Sequence, residues 1–244
     1  MTDDKVALVD AQPWMSRSLR QQLKQTVALQ LSDNPLDGPS LAHAAEALAA
    51  NPWVARVDEV RRTDTGVEVL GEYRQPVAVV ESGDGYYLVD AQGVRLPPRY
   101  DASHLPQLRL PVITGVTAPP SEPGVLWPGD DLEAGLELSA LLRDEPFVEQ
   151  IERYEVGLRD DRGRLRMTLH TTRGGMVIWG LPPGREMAVE RSAATKIARL
   201  NNLYASHKSI DAGGKVVEVF GGAVFVHDPR GQSTMRSVGY TWRR

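Results

Sequence analysis

The sequence contains no cysteine, which excludes disulfide bonds, thiolate metal ligands and cysteine nucleophiles together. It also has no apolar run near the roughly 18 residues that a membrane-spanning helix needs. Residues 1–9 carry acids near their start and only a short apolar run, which is not the pattern of a signal peptide. We therefore expect a chain that is either soluble by itself or preceded by a membrane anchor upstream of residue 1.

Concentrated charge and clustered reactive side chains are also missing. The net charge is −4, whereas a protein that coats nucleic acid is expected to be basic. The 5 histidines are scattered without a His-x-x-x-His pair, so the pattern predicts no zinc site. The glycine pairs at 174–175 and 221–222 fit hairpin turns better than phosphate loops. The acidic pairs at 130–131 and 160–161 fit a helix cap and a turn. We expect no enzymatic activity, no cofactor and no small-molecule substrate.

Proline divides the chain. The composition, 41% apolar and 25% charged, is that of a globular protein, and 244 residues fit one large domain or two modest ones. Eight of the 17 prolines fall between positions 97 and 128. Such a run cannot form an interior strand or a helix. It predicts an extended connector between two folded units.

The first unit has a βααβββ pattern that opens with a strand at 6–9. Ser16 or Ser18 can cap a helix that carries Leu19, Leu23 and Val27 on one face. A second helix begins near Ser40 and ends by residue 51, because a proline follows. Strands are predicted at 54–61, 67–80 and 86–96. The simplest assembly packs the helices on one face of a small mixed sheet.

The second unit is predicted to be mainly antiparallel β structure with flanking helices. A helix near 131–142 precedes a hairpin formed by 148–159 and 165–170, with a further strand at 176–179. A helix near 187–204 and two strands at 216–220 and 223–227 follow. The fold class is therefore α+β, with domain limits at 1–97, 98–128 (connector and start of the second domain), 129–228 and 229–244. The last segment is a basic, aromatic tail that fits a mobile terminus or an added edge strand.

Several segments together resemble a known family. Residues 51–57, Asn-Pro-Trp-Val-Ala-Arg-Val, and 73–78, Tyr-Arg-Gln-Pro-Val-Ala, are similar to the POTRA domain of the FtsQ/DivIB proteins of bacterial cell division. The hairpin 86–94, Tyr-Tyr-Leu-Val-Asp-Ala-Gln-Gly-Val, and the Leu-Pro-x-x-x-Gly at 110–115 also resemble that family. Residues 216–224 match the pattern of its closing strands, although Glu218 stands where arginine is common.

The resemblance implies a bitopic scaffold of the divisome: a POTRA domain, then a β domain, on the periplasmic face of the inner membrane. It implies binding to FtsB/FtsL-type division proteins through the last strands of the β domain. The physical mode would be β-augmentation, in which an exposed strand edge pairs with a partner strand. The implied partner-binding residues are Val217, Glu218, Val219, Phe220, Ala223, Val224 and Phe225. Val219→Pro is then expected to abolish partner binding while the POTRA domain stays folded.

Other interpretations of the same residues remain open. The closing strands could be interior and already paired, so that they offer no free edge. A different POTRA-bearing protein, acting as a docking or chaperone module in outer-membrane assembly or export, would predict tandem POTRA repeats. An enzyme would need a pocket with convergent titratable groups. Trp53 fits a core position where a helix meets a strand.

Overall fold

A computed structural model describes residues 2–32, 34, 37–83, 85–117 and 122–228. The predicted basic tail, 229–244, lies outside the described residues, as does Asp84 in the predicted turn at 82–85. The described helices are α1 (Arg17–Gln30), α2 (Gly38–Ala49), α3 (Leu105–Leu108), α4 (Asp130–Leu142) and α5 (Ala193–His207). The described strands are β1 (Val6–Leu8), β2 (Val54–Arg62), β3 (Val67–Tyr73), β4 (Ala78–Ser82), β5 (Gly85–Val89), β6 (Arg95–Tyr100), β7 (Val112–Thr114), β8 (Ile151–Arg159), β9 (Leu165–Thr171), β10 (Met176–Gly180), β11 (Val216–Glu218) and β12 (Phe225–His227).

The described residues form two compact units. The first contains the residues up to Pro76 together with Val94–Pro97 and Glu122–Val125. The second contains Val77–Gly93 and the described residues of 98–121 and from 126 onward. The sequence placed the segment 77–93 in the first domain. The structure instead places its strands β4 and β5 in the large sheet, because β4 pairs with β7 of the second unit.

The first unit is built on a three-stranded sheet in the order β1-β3-β2, with β1 parallel and β2 antiparallel to β3. The predicted apolar face of α1 is confirmed, since Leu19, Leu23 and Val27 are all buried. Ser16 is the cap: its hydroxyl accepts the backbone N–H of Leu19 at 3.1 Å. Trp53 is partly buried against this core, as predicted.

Helix α2 begins earlier than the sequence predicts. Asp37, not Ser40, is its cap, and the Asp37 carboxylate accepts the N–H of Ser40 at 3.2 Å. The Ser40 hydroxyl donates back to the Asp37 carbonyl at 2.8 Å. The helix ends at Ala49, in agreement with the limit set by Pro52.

Nine strands form a mixed sheet in the order β12-β11-β10-β9-β8-β7-β4-β5-β6, and all of them except β6 lie entirely in the second unit. Strand β7 is parallel to both of its neighbours and β10 is parallel to β11, whereas β4 with β5, β8 with β9, β9 with β10 and β11 with β12 pair antiparallel. Residues of α4 and α5, among them Leu132, Leu138 and Leu200, share one buried cluster with sheet residues such as Val156 and Trp179. This cluster is the core of the unit.

The proline-rich segment contains more regular structure than a connector. Pro97 and Pro98 lie in β6, the last strand at one side of the described sheet, and because consecutive N–H positions point to opposite sides, only one of the two faces β5. Pro106 lies in the first turn of α3. Pro111 stands just before β7, and its carbonyl accepts the N–H of Val79 at 2.9 Å. Each proline therefore avoids a central ladder position, while β7 itself is a central strand.

Helix α5 begins at Ala193, six residues later than predicted. Ser192 caps it by accepting the N–H of Thr195 at 3.4 Å. In the loop before it, the buried carboxylate of Glu190 accepts the N–H of Leu181 at 2.7 Å and forms an ion pair with Lys196. The predicted α+β fold class is confirmed: the arrangement is consistent with a POTRA domain followed by a β domain. In the part of the chain that the structure describes, no helix is long and apolar enough to cross a membrane.

Candidate partner-binding edge

The predicted binding residues fall into two groups: those in or next to the paired strand β11, and those nearer the surface. Strand β11 pairs with β10 on one side and with β12 on the other, so Val217 and Glu218 lie in a strand that is already paired. The side chains of Val217 and Val219 are fully buried. The N–H of Val219 donates to the carbonyl of Ile178 at 3.2 Å. Val219→Pro would therefore damage the sheet itself.

The remaining predicted residues lie nearer the surface. Phe220, Ala223 and Val224 belong to the loop between β11 and β12, and Val224 packs partly against the core. Phe225 is the only one of the seven predicted residues in β12, the last strand on this side of the sheet among the described residues. Sequence reasoning missed Val226 and His227, although its own predicted strand at 223–227 contains both.

The pairing register determines which backbone groups of β12 face outward. On either side of β11, the Lys215 carbonyl and the Val219 N–H both point to β10. Because backbone groups alternate along a strand, the N–H and C=O of Val217 also point to β10, and those of Glu218 point to β12. Glu218 pairs with Phe225, and Val217 pairs with Val226. Antiparallel partners alternate between pairs that exchange hydrogen bonds and pairs that do not. The N–H and C=O of Val226 therefore point away from β11, to the side on which the described part of the chain has no further strand.

The side chains of this strand are apolar or aromatic and exposed. Phe225 is 52% exposed and Val226 is 43% exposed. The rings of Phe225 and His227 stack, with centroids 6.4 Å apart and planes 15° apart. The imidazole Nε2 of His227 lies 3.4 Å from a carboxylate oxygen of Glu218. One face of the β11–β12 pair thus carries Phe225, His227 and Glu218, and the other face carries Val226.

A buried ionic network underlies the segment that leads into α5. Arg166 lies between the carboxylates of Asp160 and Glu190, at 3.2 and 3.1 Å. Glu190 also accepts from Lys196 at 2.7 Å, and the Lys196 ammonium is 5.0 Å from the centroid of the Trp179 ring. Burial lowers the pKa of Lys196, although hydrogen bonding to Glu190 opposes the shift. Each buried charge of this network thus has an oppositely charged partner, which offsets the cost of its burial.

Asp160 has a carboxyl group with a depressed pKa. Burial alone would raise that pKa, but hydrogen bonds from the Arg164 side chain and from the backbone N–H groups of Arg164 and Arg162 lower it to about 2. The Arg164 guanidinium is 2.7 Å from the Asp160 carboxylate. The ion pair and these backbone hydrogen bonds therefore hold the predicted turn at 160–163, between β8 and β9.

A second polar feature lies on the sheet, in a depression of about 370 Å³ lined by Glu81, Thr114, Glu152, Arg153, Glu155 and His170. Arg153 pairs with Glu81 at 3.0 Å, and the Thr114 hydroxyl donates to Glu155 at 3.2 Å. Within the described ranges, no group of three or more His, Asp or Glu side chains could hold a metal ion. The depression is an ion-paired face of the sheet.

Comparison with known proteins agrees with this architecture. The family model for the C-terminal region of cell division protein FtsQ/DivIB matches residues 78–219, which begin at β4 and end just after β11. A cell division protein FtsQ from Geotalea daltonii (strain DSM 22248 / JCM 15807 / FRC-32) is 39% identical over 80 residues, which are 33% of this chain and 28% of that protein. The match therefore spans well under two thirds of that relative. Because the family model covers more than half of the sequence, this chain belongs to the FtsQ/DivIB family of cell division proteins.

Proposed function

We propose that the chain is a non-enzymatic scaffold of the bacterial divisome that binds FtsB/FtsL-type division proteins by adding a partner strand to β12. It acts at the periplasmic face of the inner membrane, where an N-terminal anchor holds it, and contributes to septum formation. The first unit, interpreted as a POTRA domain, assists its recruitment. The proposal involves no nucleic acid and no small-molecule substrate.

The observation that carries this proposal is that β12 is an apolar strand with no neighbouring strand on its outer side among the described residues. Natural sheets protect their edges with charges, bulges, prolines or very short strands. β12 is short, but it contains no proline, lysine, arginine or acid. Its exposed apolar side chains and the outward N–H and C=O of Val226 are what a partner strand needs.

The other edges of the described sheets are protected. β2 contains charged residues at five of its nine positions and two register irregularities, between Val54 and Arg56 and between Val57 and Glu59. β6 contains Pro97 and Pro98. β1 is as short as β12, but the side chains of its Val6 and Leu8 are buried, so it exposes no large apolar side chain. Strand addition is therefore best supported at β12.

The docking groups differ from those that the resemblance implied. Phe225 remains in the set, and Val226 and His227 join it because they share its strand. Val217 and Val219 support the strand from the core, and Glu218 contributes through its contact with His227.

The experiment compares two substitutions at one position. Val226→Pro removes the outward N–H, whereas Val226→Ala keeps that N–H and removes most of the side chain. Neither change removes a hydrogen bond between β12 and β11, because the Val226 backbone points away from β11. We expect Val226→Pro to weaken binding of a co-expressed FtsB–FtsL extracytoplasmic complex by about tenfold or more in calorimetry, since a backbone hydrogen bond is lost and the ring obstructs the partner strand. Val226→Ala is expected to weaken it less.

Equal affinities for Val226→Pro and the unmodified chain, with both folded by circular dichroism, would rule out strand addition at β12. A larger loss for Val226→Ala than for Val226→Pro would show that the side chain, not the backbone edge, carries the contact.

A further inference from the structure

The loop between β11 and β12 has little packing of its own. It includes Gly221 and Gly222, which carry no side chains, and glycine loses more conformational freedom on ordering than any other residue. A Cβ added at Gly222 would meet no atom within 4 Å. Side-chain packing therefore holds nothing at these two glycines, and contacts of the main chain must hold this part of the loop.

The guanidinium of Arg199, on α5, makes the required contacts. Its Nη1 donates to the carbonyls of Val219 and Gly221, both at 2.7 Å. Its Nη2 donates to the carbonyl of Gly222 at 2.8 Å. Three main-chain carbonyls that converge on one planar, charged fork form strong and directional hydrogen bonds.

The fourth carbonyl of this stretch is held from the other side. The Phe220 carbonyl accepts the backbone N–H of Arg191 at 2.9 Å. The Phe220 ring lies 6.0 Å from the guanidinium carbon of Arg166, which belongs to the buried ionic network. All four carbonyls from Val219 to Gly222 are thus occupied by groups on α5 or on the loop just before it.

We propose that Arg199 is the positioning residue of the docking edge: its side chain orders the loop at 219–224 and so holds β12 in the register that a partner strand requires. The inference rests on the proposed function, because it concerns how the same edge is presented. Arg199 itself lies on α5 and acts through the loop carbonyls. The hydrogen bonds reach only main-chain atoms, so they constrain the position of the loop and not its sequence.

The test uses three variants of the full chain. Arg199→Met keeps the aliphatic stem and removes every donor. Arg199→Lys keeps the charge but replaces the fork with a single ammonium, which cannot reach three carbonyls equally well. Arg173→Met is the matched control, because Arg173 is an exposed arginine in the turn between β9 and β10.

Two readouts are expected to move together. Amide hydrogen exchange in the unliganded chain should accelerate at Phe225 and His227, whose N–H groups face β11, in Arg199→Met, while protection in β8 and β9 stays unchanged. Affinity for the FtsB–FtsL complex should fall by about tenfold or more, because only the fraction of molecules with an ordered edge can bind. Arg199→Lys should recover part of both, and Arg173→Met should match the unmodified chain.

Unchanged affinity in Arg199→Met would overturn the inference, and so would a loss of protection spread evenly over β8 and β9, which would mean general destabilisation. The inference can fail separately from the proposed function. If Val226→Pro weakens binding and Arg199→Met does not, only the role of Arg199 is wrong. If Val226→Pro has no effect on binding, strand addition itself is wrong, whatever the exchange at Phe225 and His227 shows.

Discussion

Phe225→Ala removes the largest exposed apolar side chain of β12. A phenylalanine that becomes buried contributes about 150–250 Å², and Phe225 is 52% exposed. A partner strand that covers the ring would therefore bury about 100 Å² of apolar surface. At about 25 cal/mol per Å², this burial is worth about 2.5 kcal/mol of binding free energy, or roughly 70-fold in affinity.

The assay is calorimetric titration with the FtsB–FtsL complex, accompanied by urea unfolding of each variant. Unfolding should change little, because half of the ring is in water and its stacking partner His227 is also exposed. Leu29→Ala is the matched control, since Leu29 is an apolar side chain, 82% exposed, on α1 of the first unit. The control should bind as the unmodified chain does.

A change in affinity below about threefold for Phe225→Ala would refute the reasoning, because the calculated burial could not then occur. A loss that equals the loss for Leu29→Ala would refute it as well. It would show that any exposed apolar residue contributes equally and that β12 is not a specific surface.

Two further predictions concern the stability of the second unit. The pKa of Asp160 in the folded chain is about 2, below the usual aspartate value of 3.8. Its carboxylate therefore stabilises the fold above pH 4, and that contribution is lost as the pH falls from about 4 to 2. The shift corresponds to about 2 kcal/mol. Urea unfolding should show Asp160→Asn less stable by this amount at pH 7 and equal to the unmodified chain near pH 2; a pH-independent difference would contradict the assignment. Val219→Pro should lower the free energy of unfolding by about 3 kcal/mol or more, because the Ile178 carbonyl loses its donor and a buried position must accept a ring. An unchanged free energy of unfolding would show that the hydrogen bond from Val219 to Ile178 is not made.

The sequence allowed the local features of the fold to be predicted well. The stripe of Leu19, Leu23 and Val27, the Ser16 cap and the end of α2 before Pro52 all follow from rules that act within a few residues. The α+β class followed from the order of helical and strand-like periodicities.

Pairing over long distances could not be read from periodicity. β4 follows β3 after Pro76 and reads as its continuation, yet it pairs with β7 and lies in the other sheet. Nothing within either strand specifies that partner. The prediction of a connector from the prolines of 97–111 failed for the same reason. A proline in an edge strand, at a helix start or before a strand breaks no ladder of a central strand, and only the assembled sheet shows which of these applies.

The candidate site was predicted in outline and not in detail. The resemblance led to the closing strands, and Phe225 lies on the exposed one. Val217 and Val219 proved to be core residues because β11 has a neighbour on each side. Arg199 gave no signal in the sequence, since an arginine on a helix is most often a solvated side chain and its carbonyl partners are 20 or more residues away.

The most direct test of strand addition at β12 is the exchange rate of the Val226 amide with and without the FtsB–FtsL complex, measured by NMR. The Val226 N–H points away from β11, so we expect fast exchange in the free chain and at least about tenfold slower exchange when a partner strand accepts this N–H. The amides of Phe225 and His227, which face β11, should be protected in both states. If the Val226 amide exchanges at the same rate in the presence of saturating partner, no strand is added at β12 and the central claim is wrong.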